Sequence, residues 1–103
     1  MGLLGYCGWC VYIIECFDGT LYTGVTNDLA KRISLHKQGK AAKYTKPVHR
    51  RCRLLAYAEP APDRSTAQKR EVAIKKLTRK GKLDLILTQC FRWQLINRRN
   101  RRE

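Results

Sequence analysis

The chain has 103 residues, 44% of them hydrophobic, and carries 22 basic against 8 acidic side chains, a formal net charge of +14. That length fits one domain with a small core, and the apolar content excludes a disordered chain. An excess of this size works against a compact state and points to an anionic partner. The charge is also unevenly placed. No Lys or Arg precedes Lys31; residues 1–30 hold three acids, whereas residues 31–103 hold all 22 cations and five acids. This reads as a core-forming start followed by a basic outer face, the electrostatic footprint of a phosphate-backbone binder. A membrane surface, the other anionic partner, usually goes with a basic amphipathic helix or a lipid anchor. Met1 to Ile14 is apolar but too short to span a bilayer. It has no positive n-region, and Tyr6 stands where a myristoylation signal needs Ser or Thr. The expectation is a cytoplasmic protein that binds nucleic acid, with no membrane partner and no obligate protein partner inferable.

In chain order, Trp9 to Cys16 is rich in β-formers and reads as a strand. Asp18-Gly19 marks a hairpin, and Thr20 to Val25 is the returning strand. Asn27 or Asp28 caps a first helix that Gly39 ends, with Leu29 and Ile33 as its apolar face. Gly39 to Arg51 is a basic loop, and Arg53 to Ala58 a third strand. After the break at Glu59-Pro60-Ala61-Pro62-Asp63, Ser65 and Gln68 form a capping box. The second helix then runs to about Lys80, with Ala73 and Leu77 inward and Gly81 as its stop. Leu83 to Trp93 is apolar enough for a third helix. The expected fold is α/β: a small three-stranded, mostly antiparallel sheet with helices packed on it, in the order ββαβαα. It forms a single domain over residues 1–97, followed by a basic tail at 98–103.

Several groups could carry chemistry. Arg32 and His36 lie four apart on one helical face, which is either a solvated face or a functional pair, with Leu29 and Ile33 pointing elsewhere. Glu71 is the only carboxylate between Asp63 and Asp84. It either pairs with Lys75 along the helix, worth about 0.2–0.5 kcal/mol, or offers a hard oxygen to Mg²⁺. Tyr12 and Tyr22 fall on the hairpin strands, as a stabilising aromatic pair or as proton acceptors helped by a cation or a histidine. The five cysteines are Cys7, Cys10, Cys16, Cys52 and Cys90. An odd number without a secretory signal argues against a disulfide framework. Cys7-Gly8-Trp9-Cys10 has C-x-x-C spacing, but it leads into a strand rather than a helix and lacks a second pair for zinc.

Order and spacing bind these weak signals together. Val11-Tyr12 is followed by Tyr22-Thr23-Gly24, then Arg32, His36 and Glu71. Around them stand the strings Leu21 to Thr26, His36 to Lys40, Ala42-Lys43-Tyr44-Thr45 and Arg70 to Leu77. Over roughly residues 9–85 the chain resembles the GIY-YIG nuclease family, in particular its short stand-alone bacterial members. The first motif departs as Cys10-Val11-Tyr12, and no asparagine follows Glu71 before Phe91, where many family nucleases carry one. The resemblance implies an endonuclease that hydrolyses phosphodiesters, with DNA the expected substrate and shape rather than sequence directing it. It implies one divalent metal, Mg²⁺ or Mn²⁺, held by Glu71. Tyr12 would be the general base and Tyr22 would line the site. Arg32 would stabilise the phosphate, and His36 would help Tyr12 lose its proton. Gly24, Lys31, Lys40, Lys43, Tyr44, Lys69, Lys75 and Lys76 would hold the nucleic acid. A module that keeps this fold and charge but does little chemistry is the alternative.

Overall fold

A computed structural model describes residues 8–89. Strand β1 (Cys10–Cys16) is central in a three-stranded sheet of order β2-β1-β3, and both pairings are antiparallel. Strand β2 is Leu21–Thr26 and β3 is Cys52–Pro60. Both faces of β1 are covered, so Cys10, Val11, Tyr12, Ile13 and Ile14 form an unbroken buried run instead of an alternating one. The hairpin forms as expected. Asp18 accepts from the Thr20 backbone N–H at 3.1 Å and from its hydroxyl at 2.7 Å. Gly19 takes a φ of +85° and donates to the Cys16 carbonyl.

Helix α1 (Leu29–Lys37) starts on Asp28, whose carboxylate accepts from the Lys31 N–H at 3.2 Å. It ends on Gly39 at φ +73°, with Gly39 donating to the His36 carbonyl and Lys40 to that of Leu35. These two bonds make a Schellman motif, which needs the left-handed residue glycine supplies.

The second half of the chain departs from expectation. Helix α2 is Arg64–Lys75, shorter than predicted, and its cap is Asp63 rather than Ser65: the Asp63 carboxylate accepts from the Thr66 N–H at 2.7 Å. The two buried positions of α2 are Ala67 and Ile74, two turns apart. Ala73 is exposed because, about 100° round the helix from Ile74, it lies off the buried stripe, and Leu77 because the chain turns at Lys76 before it can extend that stripe. A third helix, α3, occupies residues 79–89, so it begins four residues before Leu83. Gly81 stops nothing; it lies in the first turn of α3 and donates its N–H to the Thr78 hydroxyl at 3.1 Å.

The sheet lies between two helical layers. On one face Cys10, Tyr12, Ile14, Cys16, Cys52 and Ala58 pack against Leu29 and Ile33 of α1. On the other, Val11, Ile13 and Tyr57 pack against Ala67 and Ile74 of α2, with Leu85 and Ile86 of α3 alongside. The Gln89 amide seals the outer edge of β3, accepting from the Ala58 N–H at 3.2 Å and donating to its carbonyl at 2.7 Å. Among the described residues no helix is long and apolar enough to cross a membrane.

Candidate active site

Alternation along β1 turns Tyr12 toward α1, and the strand register sets it opposite Gly24 of β2. A Cβ at position 24 would lie 2.6 Å from Tyr12 Cζ and closer still to the phenol oxygen. The missing side chain therefore admits the tyrosine ring. The ring's hydroxyl shares a 2.7 Å hydrogen bond with His36 Nε2. On the far side of the imidazole, Nδ1 lies 2.9 Å from the Thr45 hydroxyl, which donates to the Ala42 carbonyl at 3.3 Å. His36 and Thr45 are both fully buried. His36 thus shares the buried stripe of Leu29 and Ile33, at spacings of four and three, rather than a polar face turned away from them. Arg32 sits one turn back from His36, half-buried, and its charge acts on both Tyr12 and His36.

The ring of Tyr22 leans on His36, with centroids 5.2 Å apart, and stacks on Tyr44 at 5.9 Å and 15°. Cations close both ends of this stack. Lys75 Nζ is 6.0 Å from the Tyr22 centroid, and Arg50 Cζ is 4.7 Å from that of Tyr44. Arg50 is held there by its Nε, which donates to the Tyr44 carbonyl at 2.8 Å. Glu71 is half-buried on α2, with Oε2 at 3.2 Å from Lys75 Nζ, and its charge reaches Tyr12. The ion pair with Lys75 and the position beside the tyrosines therefore coexist.

The five predicted reactive residues, Tyr12, Tyr22, Arg32, His36 and Glu71, thus converge from four elements. Of the predicted backbone contacts, Tyr44 and Lys75 belong to the aromatic stack. Lys40 and Lys43 line an open cavity of about 590 Å³ with Lys46, Gly39, Ala41 and Ala42. Lys31 is exposed on α1, Lys69 on α2, and Lys76 at the cap that ends α2. Two members escaped sequence reasoning. Thr45 is an ordinary residue in a basic loop until its burial is seen. Arg50 is one cation among many until its guanidinium is found over Tyr44.

Burial, first, and then the neighbouring Tyr22 push the Tyr12 phenol well above its ordinary range, while Arg32 pulls it back in part. Burial, with Arg32 second, pushes His36 down to about 4. At neutral pH the phenol is protonated and the imidazole neutral. Cys10 is a buried free thiol that burial pushes up to about 11, the reverse of a reactive thiol. Cys7, the other cysteine of the C-x-x-C, lies outside the described residues, as does the tail at 98–103.

A buried tyrosine–histidine pair thus sits beside an arginine and a carboxylate on a ββαβαα scaffold. The chain belongs to the GIY-YIG family, whose catalytic domain it matches over residues 8–84. Members of that family are nucleases, bind nucleic acid and generally depend on a divalent metal. The chain is similar to UPF0213 protein DP2720 of Desulfotalea psychrophila, at 49% identity over 79 residues, covering 76% of this chain and 70% of that one. It is 48% identical over 79 residues to UPF0213 protein SAV0488 of Staphylococcus aureus strain Mu50, covering 74% and 90%. Its fold is similar to the solution NMR structure of UPF0213 protein BH0048 from Bacillus halodurans, with a TM-score of 0.50 and 39% identity, covering 78% and 83%.

Proposed function

We propose that this protein is a metal-dependent endonuclease that hydrolyses phosphodiester bonds in DNA, directed by substrate shape with little sequence specificity. The observation that carries the reading is the 2.7 Å bond between Tyr12 and a fully buried, neutral His36. A resting phenol holds its proton and is a poor base alone. With His36 behind it, Tyr12 passes that proton inward as it takes one from the attacking water. Arg32 faces the negative charge that develops on phosphate, and a guanidinium keeps its own charge throughout. Tyr22 lines the site, and Gly24 serves it by admitting the Tyr12 ring.

The donor chemistry fits a hard cation. Glu71, whose charge reaches Tyr12, is the carboxylate that would hold it. One carboxylate suits Mg²⁺ or Mn²⁺ that keeps most of its waters. Such an ion supplies charge neutralisation at the phosphate when bound. Lys31, Lys40, Lys43, Lys69, Lys75 and Lys76, with Tyr44, hold the strand by its phosphates, and such contacts position without reading sequence. The protein would act in the cytoplasm, as a single domain.

The binding-module alternative draws on the protonated phenol and on the Lys75 contact that already engages Glu71. Incubating labelled single-stranded, duplex, flap and branched DNA, with an RNA control, in Mg²⁺ or Mn²⁺ separates the two. Cutting that disappears in Glu71→Gln and Tyr12→Phe, with affinity retained, supports the nuclease. Tight binding of the same substrates without cutting by the wild type supports the module.

A further inference from the structure

We infer that Thr45 is a positioning residue, which fixes the His36 tautomer and so sets the direction of proton transfer out of Tyr12. The inference rests on the reading of Tyr12 as the base. Its starting point is a polar side chain where none is expected. Lys43, Tyr44 and Lys46 of the same loop are exposed, whereas Thr45 is fully buried. An unbonded hydroxyl there costs about 1–3 kcal/mol, so its hydrogen bonds decide whether the loop is tolerated.

A hydroxyl has one proton and two lone pairs. The Thr45 proton goes to the Ala42 carbonyl at 3.3 Å, a bond that also closes the loop on itself. What Thr45 presents to His36, 2.9 Å away, is therefore a lone pair. Nδ1 must carry the imidazole proton and donate it to Thr45. His36 is neutral and has a single ring proton, so Nε2 is left bare. A bare Nε2 at 2.7 Å from the phenol accepts from it, and the proton path runs from Tyr12 to His36. The reverse arrangement has Thr45 donating to Nδ1 and Nε2–H donating to the tyrosine oxygen. It removes the Thr45 proton from Ala42 and leaves His36 no lone pair for the phenol's proton. One loop hydroxyl therefore separates an imidazole that drains Tyr12 from one that blocks it.

The test uses Thr45→Val, which keeps the shape without the hydroxyl, and Thr45→Ser, which keeps the hydroxyl. Imidazole ¹⁵N shifts of the labelled protein report the tautomer directly. The wild type and Thr45→Ser should show Nδ1 protonated and Nε2 bare, and Thr45→Val should show a mixed or inverted state. On a cleaved DNA substrate, Thr45→Val should lower kcat by about 10- to 100-fold, a part of what base catalysis supplies, and leave KM nearly unchanged. Thr45→Ser should recover most of it. A wild-type tautomer with Nε2 protonated, an unchanged tautomer in Thr45→Val, or full kcat in that variant would each overturn the inference. If the wild type cuts no substrate, the nuclease reading fails, and the ¹⁵N shifts still decide the role of Thr45. If Thr45→Val does not fold, the wild-type shifts and the Thr45→Ser kcat decide it.

Discussion

Replacing Gly24 by alanine probes the contact on which the whole site is built. The backbone gives no reason for glycine there, since its φ is outside the left-handed region. A neutral alanine would gain about 0.4–1 kcal/mol by restricting the unfolded chain. Sterics reverse that sign. The new Cβ would lie 2.6 Å from Tyr12 Cζ and 3.0 Å from Cε2. Carbon atoms rest about 3.5–4.0 Å apart, so the ring must move by roughly 1 Å. The bond to His36, now 2.7 Å, has less slack than that before it is lost. Nor is there open space to retreat into, because Tyr12 is only 1% exposed. Overpacking of this kind costs about 1–3 kcal/mol, and the broken hydrogen bond adds about 1 kcal/mol. Urea unfolding of wild type, Gly24→Ala, Tyr12→Leu and the double variant measures it. Leucine is too short to reach across position 24, so in that background the alanine should cost almost nothing. The expected coupling is about 2–4 kcal/mol, since the unfolded-state gain is common to both backgrounds. An alanine that stabilises the wild-type background, or one that costs the same in both, would refute the steric account.

Two other outcomes follow from the electrostatics. His36 has an ordinary value of 6.5, the value expected unfolded, and about 4 when folded, so on acidification the unfolded chain takes up the proton first. The His36 contribution is thus intact above about pH 6.5, falls between 6.5 and 4 by about 3 kcal/mol, and levels off below. Urea midpoints at pH 7.5, 5.5 and 4.5 measure the fall, and a slope that His36→Gln leaves unchanged would assign it elsewhere. Binding to duplex or single-stranded DNA should weaken linearly in log K against log salt, and Lys40→Gln or Lys43→Gln should each reduce the slope by about 0.9 on duplex and about 0.7 on single strands. A salt-independent affinity would contradict the phosphate-holding role of these lysines.

The first half of the molecule was legible because its signals are local. Asp18-Gly19, Asp28 and Gly39 each act within a few residues, and each does what its chemistry dictates. The second half turned on a competition that sequence does not resolve. Asp63 and Ser65 are both good caps, and Thr78 starts a new helix before Leu77 can continue the old one. In the site, spacing brought Arg32 and His36 to one face but could not say that His36 is buried there. That depends on Tyr12 filling the room left by Gly24, a contact between two strands. Thr45 was hidden for the same reason: its partner is nine residues back, across a loop whose path no periodicity encodes.

Tyr12 sits on β1, which is hydrogen-bonded along both sides and covered on both faces. The amides of this strand should therefore exchange among the slowest in the domain. The groups that complete the site, Thr45, Tyr44 and Arg50, ride instead on a surface segment between Gly39 and Arg51. Proteolytic nicking of that segment would leave the sheet closed while His36 loses its partner. On the proposed mechanism, competence and foldedness would therefore be separable, and a sample fully folded by its amide protection would still lack the His36 partner that the proton path needs.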